Sequence, residues 1–302
     1  MSNRLHAPFY ADAGCQACAT VLENVQLARD TFRVRLACPA IARQITPGQF
    51  IMLRLAGCDD PLLGRPLALY DTVLSDAGEP TWLDVVYLVA GKFTRRLASC
   101  VAGQPMDVWG PLGNGFPPQT AEHLIMVAGG IGVTPFLALA AEHVGFKRYG
   151  QPPRTVPRPK QITFCYGARS AAYFAGADDF RRLGLDVRLS TDDGTAGHHG
   201  LVTDVLRQVL EQSTIDHGPT EIAEVRPLTA ICCCGPEPMM AGVAKIAHDY
   251  NVPCQVSLET PMACGIGICF TCVAKVRQSD GGWDYRRTCV EGPVFAAEQI
   301  EW

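Results

Sequence analysis

This chain of 302 residues holds no apolar run near the ~18 residues that a membrane-spanning helix needs. It has no long block of like charge, and its formal net charge is only −4. Nothing in that balance points to nucleic acid or an acidic membrane surface as partner. The first residues lack the basic stretch and following apolar segment of a secretory leader, so a cytoplasmic location is expected. There is no internal repeat, no Ser/His/Asp triad and no motif-level pair of carboxylates to suggest hydrolysis. Near the C-terminus only one Cys-x2-Cys knuckle occurs, whereas a zinc ribbon usually pairs two.

Cysteine, by contrast, is plentiful, with fourteen in all. In a reducing compartment such cysteines bind metal or serve as small buried hydrophobes. Four carry most of the information. The run Met262-Ala-Cys-Gly-Ile-Gly-Ile-Cys-Phe-Thr-Cys places Cys264, Cys269 and Cys272 as C-x4-C-x2-C, with Cys289 further on. That is the plant-type ligand spacing for a 2Fe–2S cluster. One loop must wrap a compact inorganic core and aim backbone N–H groups at its sulfides, and Gly265 and Gly267 allow the close approach and positive φ this requires. The spacing favours an iron–sulfur centre on these four residues over zinc or inert buried thiols. Cys15 and Cys18 read as a free pair in an N-terminal extension, and Cys232 and Cys233 as part of a buried strand. His198-His199 reads as a solvated turn, and Met239-Met240 as helix core.

The hydrophobic content of 48% is ample for packed cores, and the length suggests two or three domains. After an extension over 1–18, residues 19–120 read as short strands: Phe32–Leu36, Gln49–Leu55 and Leu83–Val89, broken by Pro47-Gly48, Gly57 and Gly110-Pro111. That pitch predicts a small antiparallel barrel. Residues 121–253 alternate apolar strands (Leu124–Ala128, Ile162–Tyr166, Asp186–Ser190, Ala230–Cys234) with helical segments (Phe136–His143, 201–211, 237–250). This predicts a doubly wound parallel sheet with helices on both faces, with loops over 151–159 and 213–227. The cysteine-bearing segment 254–302 is too short to fold well alone and is expected to depend on its cluster and on docking.

Gly129, Gly130 and Gly132, with Thr134 in the same turn, lie between a buried strand and a helix. A dinucleotide pyrophosphate would rest there against helix N-terminal amides. Such turns also serve structural ends, so context must confirm the assignment. Tyr166-Gly-Ala-Arg-Ser and Cys234-Gly-Pro-Glu-Pro-Met-Met lie at the C-terminal ends of predicted strands, the binding edge of such a sheet. Asp192 and Asp193 follow another strand. A carboxylate there accepts from a ribose 2′-hydroxyl and repels a 2′-phosphate, which predicts NAD over NADP unless Arg169 compensates.

The combined pattern resembles the ferredoxin–NADP reductase superfamily, in which a flavin-binding barrel precedes a nicotinamide domain. The flavin fingerprint of those relatives, Arg-x-Tyr-Ser/Thr or Arg-Pro-x-Ser, is matched by Arg65-Pro66-Leu67-Ala68, with Ala68 where relatives carry a hydroxyl. Their Tyr-Arg-Val-x-Gly-x-Gly-Thr is matched by Tyr87-Leu88-Val89-Ala-Gly-Lys-Phe93-Thr94, with Leu88 and Phe93 as departures. The resemblance implies that Arg65 pairs with the flavin pyrophosphate, that Thr94 and nearby amides hold the diphosphate, and that Cys234-Gly235-Pro lies beside the nicotinamide. With the cysteine loop last in order, the chain is most similar to the electron-transfer subunits of type B dihydroorotate dehydrogenases over about 19–302. Leu27-Ala-Arg-Asp-Thr-Phe, Pro47-Gly-Gln-Phe, Thr191-Asp-Asp-Gly and Cys289-Val-Glu-Gly-Pro-Val-Phe support this. That family implies FAD, a 2Fe–2S cluster, NAD(H) and a partner catalytic subunit that carries FMN, two copies of each chain, in pyrimidine biosynthesis. The alternatives are an NAD(P)H reductase subunit for ferredoxin, sulfur or hydrogenase, and a cluster-bearing sensor or scaffold without flavin activity.

Overall fold

The structure, a computed structural model, describes residues 11–215 and 228–302, with side chains of 213–215 excepted. The start of the expected extension and most of the expected loop at 213–227 lie outside the described residues. The first 200 residues begin with a closed antiparallel barrel. Its strands are β1 (Cys15–Ala28), β2 (Thr31–Ala37), β3 (Phe50–Leu55), β4 (Arg65–Leu74), β5 (Pro80–Leu88) and β6 (Pro105–Leu112), in the order β1-β2-β5-β4-β3-β6. Alternation explains β2. Val34 and Leu36 point into the core, while Arg33 and Arg35 point out to Glu23 and Asp84 at 2.6 and 2.7 Å. Helix α1 (Pro39–Ala42) adds Ile41 to the barrel core, and α2 (Lys92–Ala98) adds Phe93 and Leu97.

Next comes a seven-stranded sheet. Its strands are β7 (His123–Gly129), β8 (Gln161–Ala168), β9 (Asp186–Thr191), β10 (His198–His199), β11 (Thr229–Cys234), β12 (Cys254–Ser257) and β15 (Val294–Ala296), in the order β10-β9-β8-β7-β11-β12-β15. All neighbours are parallel except β15 on β12. Helices α3 (Phe136–His143) and α4 (Ala177–Arg182) pack on one face, and α5 (Val202–Ile215) and α6 (Glu237–Asp249) on the other. Strand β7 therefore reads as an unbroken apolar run. Leu124, Met126 and Ala128 face α3, while Ile125 and Val127 face α5 and α6. Each of these side chains larger than Ala128 contributes about 1.5–3 kcal/mol on full burial. Across the barrel–sheet joint, the Tyr70 hydroxyl donates to Asp179 at 2.7 Å, and Lys147 and Tyr149 donate to Asp71 at 2.5 and 2.6 Å.

Between β12 and β15 the chain leaves the sheet, forms the cysteine loop and the hairpin β13 (Val273–Arg277) and β14 (Trp283–Arg287), and returns. The boundary expected at 254 therefore cuts through the sheet, because β12 and β15 complete its edge. The cysteine loop docks on the barrel. Met262, Cys272, Cys289 and Val290 pack with Phe50, Met52 and Leu112. Cys15 and Cys18, expected in an extension, lie on β1, whose first residues pair with β6. His198-His199 is a short edge strand rather than a free turn.

Candidate functional site

The cysteine loop hangs between the sheet and the barrel. Gly265 and Gly267 take φ of +73° and +81°, the left-handed region the sequence reading required. The Ile266 N–H donates to Cys264 Sγ at 3.4 Å, and the Thr271 hydroxyl to Cys269 Sγ at 3.2 Å. Arg287 holds the loop by donating to the Gly267 carbonyl at 2.9 Å, and the Thr288 N–H donates to the Cys272 carbonyl at 2.7 Å. Hydrogen bonds from Thr271 pull the Cys269 thiol down to about 6. Cys272 is likewise pulled down to about 6, by a hydrogen bond from the Cys289 thiol, which is itself pushed up. Cys264 also bonds Cys269 and lies near Cys289, so the four sulfurs form two neighbouring pairs. Among the described residues no three Cys, His, Asp or Glu side chains surround the position of a single ion. Two adjacent thiol pairs, with N–H and O–H donors turned toward Cys264 and Cys269, fit a two-iron core better than one tetrahedral ion.

A cleft of about 860 Å³ opens between the barrel and this loop. Arg65, Pro66, Leu67, Ala68, Tyr87, Leu88, Phe93, Thr94 and Thr134 line it, together with Pro261, Met262, Ala263 and Thr271 of the loop segment. The Arg65 guanidinium donates only to the carbonyls of Leu63 and Gly64, at 3.1 and 3.0 Å, and has no carboxylate partner among the described residues. A fork-shaped cation so placed fits a pyrophosphate. Some expected contributors are otherwise committed. The Tyr87 hydroxyl donates to Asn24 at 3.0 Å, and Phe93 is buried in the barrel core. The Thr94 hydroxyl accepts the Ala90 and Gly91 N–H groups at 3.0 Å, closing the first turn of α2. Val89 does not line the cleft and packs on the barrel core.

A second cleft, of about 660 Å³, lies along the C-terminal edge of the parallel sheet. Gly129, Gly130, Tyr166, Arg169, Tyr173, Asp192 and Met239 are among the residues lining it. Gly132 and Gly235 are absent from its lining and serve packing. A β-carbon on Gly132 would meet the Cys234 carbonyl oxygen at 2.3 Å, and one on Gly235 the Gly129 nitrogen at 2.9 Å. The two aspartates differ. Asp193 accepts from the Thr195 N–H and hydroxyl at 3.0 and 2.6 Å, which holds its carboxyl low, whereas Asp192 faces the cleft.

Leu88, Ile131 and Glu259 line both clefts, which therefore meet. At that junction the buried Cys234 thiol points to Glu259 Oε1 at 3.9 Å. Burial pushes both groups up. The Glu259 side chain is reached by solvent through the open clefts, yet protein surrounds it on most sides; the raised direction follows from that enclosure. Sequence reasoning missed Glu259. Its signal was its place directly after β12, at the binding edge of the sheet.

Comparison with known proteins agrees with this geometry. Residues 259–301 match the iron–sulfur cluster binding domain of dihydroorotate dehydrogenase B, and residues 126–245 an oxidoreductase NAD-binding domain. The dihydroorotate dehydrogenase B (NAD⁺) electron transfer subunit of Fusobacterium nucleatum is 31% identical over 288 residues, covering 93% of this chain and 97% of that protein. The Clostridium acetobutylicum subunit of the same name is 33% identical over 265 residues, covering 85% and 87%. Among solved structures, an NADH-dependent reduced ferredoxin–NADP oxidoreductase studied for flavin-based electron bifurcation aligns with TM-score 0.74 and 27% identity, covering 95% of this chain and 90% of that one. The ferredoxin reductase of carbazole 1,9a-dioxygenase, at TM-score 0.62 and 18% identity over 80% and 67%, shares the fold. The chain belongs to the family of electron transfer subunits of NAD-dependent dihydroorotate dehydrogenase B, redox subunits built on a flavin- and nicotinamide-binding reductase fold with an iron–sulfur domain.

Proposed function

We propose that this chain passes electrons between a dihydroorotate-oxidising subunit bearing FMN and NAD⁺, through a 2Fe–2S cluster and FAD, in pyrimidine biosynthesis in the cytoplasm. The observation that carries the reading is the junction of the clefts. One runs from the dinucleotide edge to Leu88, Ile131 and Glu259, and the other from those residues to Thr271 beside Cys269. When bound, FAD exchanges a hydride with NAD(H) and single electrons with the cluster.

The residues of the chain supply placement and charge. Arg65 neutralises a pyrophosphate, with Pro66, Leu67 and Ala68 along the same strand. Gly130, where a β-carbon would meet nothing within 4 Å, leaves backbone room for the second nucleotide, Gly129 beside it packs against Met239, and Asp192 selects the ribose hydroxyl over a phosphate. Cys234 and Glu259 border the place where the rings would meet; their raised pKa values keep them protonated and uncharged there over more of the pH range than in water. Cys264, Cys269, Cys272 and Cys289 would ligate the cluster. The partner is an FMN subunit, with two copies of each chain.

A pull-down with cofactor analysis tests this. The isolated chain should contain FAD, iron and labile sulfide, should reduce artificial acceptors with NADH, and should not oxidise dihydroorotate. Mixed with the FMN subunit, it should couple dihydroorotate oxidation to NAD⁺ reduction. Stoichiometric zinc without iron, or turnover of dihydroorotate by the chain alone, would defeat the proposal. Co-purification with a ferredoxin instead would favour a second reading, an NAD(P)H–ferredoxin reductase subunit, for which the 27% likeness to the bifurcating enzyme speaks.

A further inference from the structure

Trp109 lies on β6, opposite Met52 of β3 and Gln16 of β1, so both edges of its strand are held in the barrel ladder. From that fixed base its indole reaches two other segments. The ring N–H donates to the carbonyl oxygen of Cys264 at 2.9 Å, across 155 positions of sequence. The benzo edge lies against Gly64: a β-carbon there would sit 2.5 Å from Trp109 Cη2. Gly64 immediately precedes Arg65, whose guanidinium donates to the Gly64 carbonyl at 3.0 Å. On the loop side the approach is equally close, since a β-carbon on Gly265 would meet Met52 Cγ at 2.6 Å. One side chain therefore touches both the start of the strand carrying the cleft cation and the backbone of a cysteine of the loop.

We propose that Trp109 is a positioning residue that sets the separation and orientation of the cysteine loop relative to the flavin-binding edge of the barrel. The proposal rests on the FAD and cluster reading above. A loop rich in glycine has many accessible conformations. Its docked conformation needs a directional contact in addition to apolar packing, and the indole donor provides one at the first cysteine. Groups that orient ligands in this way tune a metal site without touching the metal.

Trp109→Phe keeps an aromatic ring and removes the donor, and Trp109→Leu removes both. In the Phe variant FAD content, and the rate at which NADH reduces the flavin, should match the parent protein. Backbone amides of residues 262–272 should exchange hydrogen faster, and the reduced-cluster electron paramagnetic resonance spectrum should change. The flavin-to-cluster electron step should slow about tenfold, the size of effect typical of such outer contacts. The Leu variant should show the same pattern more strongly. Parental exchange, spectrum and transfer rate in the Phe variant would overturn the assignment. So would loss of FAD together with the cluster, which marks a barrel defect. If the unsubstituted protein held no cluster, the functional reading would fail, while the hydrogen-exchange comparison would still decide the contact.

Discussion

The strand cysteines and the loop cysteines share a side chain and little else. Cys232 and Cys233 sit in the middle of the parallel sheet, with Cys165 two strands away across β7, and burial above all drives their thiols up, Cys165 to about 12. Cys269 and Cys272 sit in a glycine loop and fall to about 6. In a strand every backbone N–H is used by the ladder, and none is left for sulfur. In the loop, donors such as the Ile266 N–H and the Thr271 hydroxyl turn toward the sulfurs. Backbone geometry, more than residue type, decides whether a thiol is filler or ligand.

The sharpest break between the groups is Cys269→Ser. It should remove the cluster, with iron and labile sulfide falling close to zero by metal analysis, while FAD absorbance persists. Retained stoichiometric iron would end the distinction. Cys234, at the end of its strand, stands between the classes. Cys234→Ala should leave iron unchanged and slow flavin reduction by NADH about tenfold, ~1.4 kcal/mol, in stopped-flow traces; an unchanged rate would return it to the strand group.

The same contrast applies to the two aspartates. Asp192→Ala should raise kcat/KM for NADPH relative to NADH by roughly fivefold, about 1 kcal/mol of relieved repulsion. Asp193→Ala, in its Thr195 turn, should leave the ratio alone. Steady-state kinetics with both cofactors decides this. For the strand group, Cys233→Ala should cost about 1 kcal/mol in urea unfolding, as small core truncations do, with full iron content.

The smallest expected effect is at Glu259. Its carboxyl is raised in the folded protein, so its stabilising contribution is present below the unfolded value of 4.5 and is lost as pH rises through the raised folded value. Glu259→Gln should therefore gain stability relative to the parent as pH climbs from about 4 toward neutrality. A parallel pair of stability–pH curves would show that solvent in the clefts cancels the burial.

Strands β2, β3, β7, β8 and β9 were legible because alternation or unbroken apolar runs mark them. Helix α3 was legible over Phe136–His143. Strand β4 was hidden because Arg65-Pro66 stood out only as part of a fingerprint, and β6 because Gly110-Pro111 read as a break, although both lie inside ladders. Strands β12 and β15 are four and three residues long, too short to carry a period. The glycine turn was legible as a motif, but which glycines face a ligand was not. Gly130 lines the cleft and Gly132 supports Cys234.

The sequence by itself determined the chemistry that depends on spacing: four cysteines at cluster intervals, the two glycines that let a loop bend around them, and the order of barrel, sheet and loop. Those are local properties, fixed by how far a short backbone segment reaches and which φ values it permits. Tertiary structure alone decided what depends on contacts far apart in the chain. It returned the C-terminal segment to the sheet, brought Glu259 to Cys234 and the meeting of two clefts, and laid the Trp109 donor on Cys264. No sequence period encodes such contacts, because each exists only once two separately patterned surfaces have packed together.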